Sequence, residues 1–186
     1  MIRKFVALSV TAVALGSLSA LGCTASGVGD PCTPETEFEG DFKGFSEKEV
    51  SVEAMSFQCQ TRVCLVNHFE GRTTCPYGGD ACKLPGGAAD APPVSVKVPA
   101  SCSNRRTSKA VYCSCRCADV SGRTDDGANY CKCGDGFTCT QLVTTVTSSD
   151  LGLTGAYCIK TGTAYSDDTC VRCDKESKNC GSETGK

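Results

Sequence analysis

Hydrophobic residues form one uninterrupted run near the start of the chain and short alternating groups after it. The stretch EVSVEAMSFQCQTRVCLVNHF alternates in part, which predicts two strands near residues 49–58 and 62–69. The stretch AVYCSCRCADVSGRTDDGANYCKC predicts a hairpin, with one strand through residue 117 and a return strand over residues 130–133. LTGAYCIKTG predicts one further strand. No long stretch has the 3.6-residue period of a helix, so we expect a mainly β chain of short antiparallel hairpins with low helix content.

The uninterrupted run, Phe5–Leu18, follows two basic residues and carries no charge. Its length is typical of a signal-peptide core and too short for a comfortable membrane span. It leads into Ala20–Cys23, which resembles the lipobox of bacterial lipoprotein precursors, with Ala at the position where Leu is commoner. The resemblance implies cleavage between Gly22 and Cys23 and attachment of a diacylglycerol group to the Cys23 thiol. An ordinary secretory signal and an uncleaved anchor are the alternatives.

The lipoprotein resemblance also implies a location and a first partner. Two or more acyl chains give stable anchoring, whereas one chain gives only marginal binding. Thr24 follows the lipidated cysteine, and the commonest signal for retention in the inner membrane is Asp at that place. We therefore expect a chain anchored in the cell envelope, at the outer membrane, with the membrane as its partner and an envelope protein or glycan as a further candidate.

The cysteine count supports this interpretation independently. The chain has 17 cysteines, and lipidation of Cys23 removes one of them and leaves an even set. The chain is expected to be exported, is rich in cysteine and has no Trp, and the remaining cysteines form an even set. These features together predict a disulfide scaffold of eight bridges. The sequence does not give the connectivity of the bridges. The predicted disulfide cysteines are Cys32, Cys59, Cys64, Cys75, Cys82, Cys102, Cys113, Cys115, Cys117, Cys131, Cys133, Cys139, Cys158, Cys170, Cys173 and Cys180.

Composition divides the chain into five segments. They are a signal peptide (1–22), a lipidated N-terminus and tether (23–45), a β-rich cysteine lobe (46–85), a Pro/Gly/Ala linker or edge strand (86–100) and a disulfide-rich hairpin lobe with a polar tail (101–186). Five of the sixteen cysteines precede the low-complexity stretch 83–100 and eleven follow it. An odd number of bridges must therefore cross this stretch and staple the two lobes, and Cys82 and Cys102 are candidate partners.

Three explanations compete for the motif CSCRC, in which Cys113, Cys115 and Cys117 alternate. In one strand these side chains share a face, and opposed residues on a neighbouring antiparallel strand come close to disulfide spacing. The alternative function is thiolate binding of zinc or copper, for which Cys170 and Cys173 have a suitable gap. A catalytic dithiol at these two positions is the third explanation. The structural bridge is the expected state in an oxidising compartment.

The run YCKCGDGFTC, residues 130–139, resembles the end of an EGF-like module, which closes with C-x-C, a Gly-aromatic pair and a last cysteine. Only five residues separate Cys133 from Cys139, which is shorter than the usual gap. The resemblance therefore implies a small stapled hairpin and not membership in that family.

Charge and motif content exclude several functions. The net charge of −2 predicts no nucleic-acid partner. The single histidine, His68, and the lack of a hydrolase, metalloprotease or nucleotide-binding motif predict a non-enzyme without a cofactor. A small basic patch, Arg105, Arg106 and Lys109, is a candidate contact for an anion or an acidic glycan, and the loop DDGAN (125–129) is a weaker candidate for calcium. We expect a structural or recognition role, such as binding or adhesion, and no resident metal.

Overall fold

The computed structural model describes residues 27–143, 153–166 and 170–180. In chain order its elements are a 3-10 helix (Glu35–Phe38), β1 (Val50–Ala54), β2 (Val63–Asn67), α1 (Thr107–Ala110), β3 (Val111–Ser114), β4 (Arg116–Ala118), β5 (Phe137–Val143) and β6 (Gly155–Lys160). α1 is a single turn, so the helix content is low, as the pattern predicts. The strands are short and antiparallel, which is also as predicted. Within the described ranges, no helix combines the length and apolar character needed to cross a bilayer.

In the described part of the chain, two three-stranded antiparallel sheets make up the fold. The first has the order β1-β2-β3 and the second the order β4-β6-β5. The chain leaves the first sheet at Ser114 and enters the second at Arg116, so Cys115 is the point of transfer. Because β3 belongs to the segment after residue 100, the expected lobes 46–85 and 101–186 share the first sheet.

The two sheets meet through a small apolar core. Leu65 and Tyr112 from the first sheet and Tyr157 and Ile159 from the second are all buried in one cluster. The Tyr112 hydroxyl accepts a hydrogen bond from the backbone N–H of Lys160 at 3.0 Å. A polar tip that finds a partner is the usual condition for burying tyrosine.

Residues 27–45, expected as a tether, pack against the sheets. Glu37 is fully buried, and its carboxylate accepts hydrogen bonds from the backbone N–H and the hydroxyl of Thr73 at 2.6 and 2.9 Å. The buried Arg72 guanidinium donates to the backbone carbonyls of Glu37, Glu39 and Phe42. These contacts make residues 35–42 part of the folded domain.

The strand predictions have mixed outcomes. The strands predicted near 49–58 and 62–69 are confirmed as β1 and β2, and the strand predicted in LTGAYCIKTG is confirmed as β6. The return strand over 130–133 is wrong, because these residues are not in a strand and β4 pairs with β6 instead. β5 was not predicted; it lies further along, at a stretch rich in threonine and apolar residues.

No strand forms over residues 83–100, so the edge strand considered there is wrong. The stretch is nevertheless packed. Val94 and Val98 are buried in a cluster with Cys82, and Val98 forms an isolated antiparallel bridge with Gly79. Side-chain burial, and not strand pairing, holds this stretch in place.

All sixteen predicted disulfide cysteines pair. The bridges are Cys32–Cys64, Cys59–Cys113, Cys75–Cys82, Cys102–Cys170, Cys115–Cys131, Cys117–Cys139, Cys133–Cys158 and Cys173–Cys180. One bridge, Cys59–Cys113, crosses the stretch 83–100, which confirms the odd crossing number. The suggested pairing of Cys82 with Cys102 is wrong, because Cys82 bonds the nearby Cys75 across a tight turn and Cys102 bonds Cys170.

The three cysteines of the motif CSCRC do not lie on one face of a single strand. Cys113 packs in a cluster of the first sheet, whereas Cys115 and Cys117 pack in a cluster of the second. The three cysteines therefore bond to three separate parts of the chain.

Candidate functional site

One concave site is a cavity of about 280 Å³ at one end of β2. We call it the Arg105 cavity, after the arginine in its wall. Two loops build it: the segment that carries Arg105 into α1, and the turn after β6 that carries Thr163 and Tyr165. The Cys102–Cys170 bridge closes one side and so fixes the first loop against the C-terminal part of the chain.

Arg105 is held by backbone carbonyls. Its Nε donates to the carbonyl of His68 at 3.0 Å, its Nη1 to that of Thr163 at 2.7 Å, and its Nη2 to that of Asn67. The side chain is only 8% exposed, and burial lowers the pKa of the guanidinium. An arginine stays protonated in proteins, so the wall carries a positive charge. Within the described ranges, no carboxylate forms an ion pair with it.

A stacked pair of rings stands beside this charge. The rings of His68 and Tyr165 are parallel within 6° and their centroids are 3.9 Å apart. The Nδ1 atom of His68 lies 2.8 Å from the carbonyl oxygen of Glu47, which orients the ring. The Arg105 guanidinium carbon lies 5.8 Å from the Tyr165 ring centroid, within the range of a cation–π contact. These contacts hold the His68 ring in a fixed position against Tyr165 in the wall of the site.

The acidic side of the cavity is already paired. A Glu47 carboxylate oxygen lies 3.8 Å from an Arg172 nitrogen, and Arg172 forms a second ion pair with Glu70 at 2.9 Å. The exposed Lys109 also lines the cavity. The site therefore joins a buried arginine, a lysine and an aromatic ring, which is a suitable set for a ligand with a carboxylate group.

The structure separates the three basic residues singled out in the sequence. Arg105 and Lys109 both line the cavity. Arg106 does not; its Nη2 donates instead to the backbone carbonyl of Asn179 at 3.2 Å. Tyr165 and Glu47 lay outside the candidate set, because nothing in their local sequence indicates that they meet Arg105.

Sulfur atoms gather in groups that have metal-site dimensions. The sulfurs of Cys115, Cys131 and Cys158 lie within 4.8 Å of one another, as do those of Cys117, Cys133 and Cys139. Every one of these sulfurs belongs to a disulfide bridge. A metal needs thiolates as ligands, so thiolate binding would first require reduction of these bridges.

In the candidate calcium loop, the Asp126 side chain forms hydrogen bonds within the loop. The Asp126 carboxylate accepts from the hydroxyl of Tyr130 at 2.7 Å and from the backbone N–H of Ala128 at 3.0 Å. These bonds, that of Tyr130 first, lower the pKa of Asp126. The pattern is that of a turn that stabilises itself.

Comparison of the chain with protein-family models, with curated proteins and with solved structures gives no match. The function is therefore argued from the residues of this chain.

Proposed function

We propose that this protein is a lipoprotein of the cell envelope, anchored through a lipid on Cys23, whose disulfide-stapled extracytoplasmic domain serves in recognition. The observation that carries the proposal is the complete pairing of the other sixteen cysteines. This pairing leaves Cys23 as the single cysteine without a bridge partner in the chain, which is what lipidation of its thiol requires. Cys23 itself lies outside the described residues.

The intact mass of the chain purified from membranes tests the anchor. Thiol alkylation before and after reduction completes the experiment. We expect a diacylglycerol-type adduct on the peptide that begins at Cys23, and no alkylation until a reductant is added. A chain without the adduct would contradict the anchor, and the location at the outer membrane would then lose its basis.

The Arg105 cavity supports recognition of an acidic glycan. A sugar carboxylate would be attracted by the positive charge of Arg105 and would accept a hydrogen bond from the exposed Lys109, and hydrogen bonds to charged groups are the strong ones. The cavity wall is rigid, because three carbonyl contacts hold the guanidinium and the Cys102–Cys170 bridge holds the loop. A rigid wall loses little entropy on binding.

Neighbouring basic residues provide a matched test of this site. We expect Lys109→Ala to weaken binding of a glucuronic-acid oligosaccharide, measured by calorimetry, and Arg106→Ala to leave it unchanged, since Lys109 lines the cavity and Arg106 does not. Equal losses in the two variants would indicate attraction by general charge and not by the cavity.

Thiolate binding of zinc or copper remains the second candidate, favoured by the grouping of six sulfurs around the second sheet. The alkylation experiment distinguishes it from the first. Several thiols that react without reductant, or a mass shift that a chelator removes, would place metal binding ahead.

A further inference from the structure

The loop that joins β1 to β2 carries the two most exposed large hydrophobic side chains of the described residues. Phe57 is 85% exposed and Met55 is 70% exposed. We call the loop, residues 55–62, the hairpin tip. Lone exposed apolar residues are common on protein surfaces, but two large ones on one tip make this loop a candidate contact for an apolar partner.

The backbone holds this tip in a costly shape. Met55 and Arg62, the residues at its two ends, have φ of 83° and 64°, values that residues other than glycine rarely adopt. The Cys59–Cys113 bridge ties the tip to β3, and the Arg62 guanidinium carbon lies 4.6 Å from the Phe57 ring centroid. Strain that the surrounding structure maintains is often associated with function.

The start of the described chain lies at the same end of the molecule. The backbone N–H of Gly29 donates to the carbonyl of Cys113 at 2.8 Å, and that of Cys113 donates to Asp30 at 2.8 Å. Further along, Thr33 exchanges hydrogen bonds with the side chain of Gln58, the neighbour of Phe57. The N-terminal segment therefore runs beside the hairpin tip.

The segment between the anchor at Cys23 and the start of the described chain is short, so the membrane would lie near the end of the molecule that carries the hairpin tip. Three residues lie between Cys23 and Gly27, and the four steps of extended chain that join them span at most about 14 Å. The α-carbons of Cys59 and Cys113 are 5.4 Å apart, so the tip is held close to the place where Gly29 and Asp30 dock. A lipid on Cys23 would keep the tip near the bilayer surface.

We propose that the hairpin tip is a second membrane contact, inserting the side chains of Phe57 and Met55 into the interface of the bilayer that holds the lipid anchor. The inference rests on the proposed lipidation of Cys23. The Arg62 guanidinium, which lies over the Phe57 ring, would then lie at the level of the head groups.

Membrane docking at the tip also orients the Arg105 cavity. The tip joins β2 at Val63, whereas Arg105 bonds to the carbonyls of Asn67 and His68 at the other end of this strand. At about 3.4 Å per residue, Val63 and Asn67 lie about 14 Å apart. The cavity would then open on the side away from the membrane.

A single-tryptophan experiment tests the proposal, because the chain has no Trp. The lipidated variant Phe57→Trp is purified from membranes and reconstituted into phosphatidylcholine vesicles with and without brominated acyl chains. The matched control is Val171→Trp. Val171 is 56% exposed and lies beside Cys102, at the end of the molecule that carries the Arg105 cavity. We expect a blue-shifted emission that brominated lipid quenches for residue 57, and no quenching for residue 171.

The outcomes separate the proposal from the lipid anchor. An intact lipid adduct with an unquenched Trp at position 57 would overturn membrane docking and leave the anchor in place. A blue shift without quenching would also overturn it, because it would show contact with protein, such as a second copy of the chain. A variant whose thiols react before reduction has misfolded, and Met55→Trp then repeats the measurement at the other apolar residue of the tip.

Discussion

Cys64 and Cys113 lie directly opposite each other on β2 and β3, but neither is bonded to the other. Cys64 bonds Cys32 in the N-terminal segment, and Cys113 bonds Cys59 in the hairpin tip. The second sheet repeats the arrangement, since the opposed Cys139 and Cys158 bond Cys117 and Cys133. The expectation that opposed cysteines staple neighbouring strands is therefore wrong at both places. A backbone ladder already holds the strands together, so the bridges add most where they attach segments that lack one.

Peptide mapping under non-reducing conditions checks this connectivity. We expect digestion to release the peptide of Cys32 joined to that of Cys64, and the peptide of Cys59 joined to that of Cys113. Acidic conditions prevent exchange during digestion, because the thiolate is the attacking species. A fragment that joins Cys64 directly to Cys113 would contradict the structure.

The bridge that crosses the stretch 83–100 is expected to stabilise the fold more than a local one. In the chain-entropy description, a bridge restricts the unfolded chain more when it closes a longer loop. Cys59–Cys113 spans 54 residues and Cys75–Cys82 spans 7. We expect replacement of the first pair by alanine to lower the free energy of unfolding by about 4 kcal/mol, and of the second by about 2 kcal/mol.

Denaturant unfolding of the two double variants measures this difference. The local pair is the control, because it removes the same atoms with a much shorter loop. Equal losses would show that contacts in the native state, and not the entropy of the unfolded chain, decide what each bridge contributes.

Burial of Glu37 predicts a dependence of stability on pH. Removal from water raises the pKa of this carboxyl above its ordinary 4.5, although hydrogen bonds from Thr73 and Thr74 and the nearby Arg72 oppose the shift. The folded state therefore holds this proton to a higher pH than the unfolded state does. The contribution of Glu37 to stability is then greatest below pH 4.5 and falls as the pH rises through the folded-state pKa.

The variant Glu37→Gln isolates this contribution, since glutamine keeps the shape and does not titrate. We expect the stability of the wild type relative to the variant to increase as the pH is lowered from neutral, in denaturant titrations at several pH values. A relative stability that decreases on acidification would mean that hydrogen bonds to the charged form outweigh its burial.

Gly78 and Gly79 test the packing of the stretch before Cys102. Both have positive φ, 60° and 103°, so alanine is strained at either position. At Gly78 the added β-carbon would also lie 2.5 Å from the carbonyl oxygen of Val98, whereas at Gly79 it would meet nothing within 4 Å. We expect Gly78→Ala to lower the thermal midpoint more than Gly79→Ala does. Equal effects would show that residues 98–100 are not held against this turn.

The sequence by itself determined those features that follow from local residue patterns and from residue counts. Partial alternation of β-branched and aromatic residues predicted the strands that became β1 and β2, and the stretch LTGAYCIKTG predicted β6, because residues of these types favour strands. Parity determined that an odd number of bridges crosses the stretch 83–100, and one does. Clustered charge brought Arg105 and Lys109 into the candidate site. Lipidation of Cys23, and the location that follows from it, stay predictions from the sequence.

Only the tertiary structure decided which distant residues meet. The pairing of Cys59 with Cys113 and the stacking of His68 on Tyr165 join residues far apart in the chain, and nothing in the local sequence of either partner specifies the other. The packing of residues 27–45 also could not be predicted from the sequence. The sequence around Glu37 is typical of a solvated acid, and only the structure shows that its carboxylate accepts a hydrogen bond from Thr73. Contacts of this kind depend on the closure of the whole chain, which a local pattern does not encode.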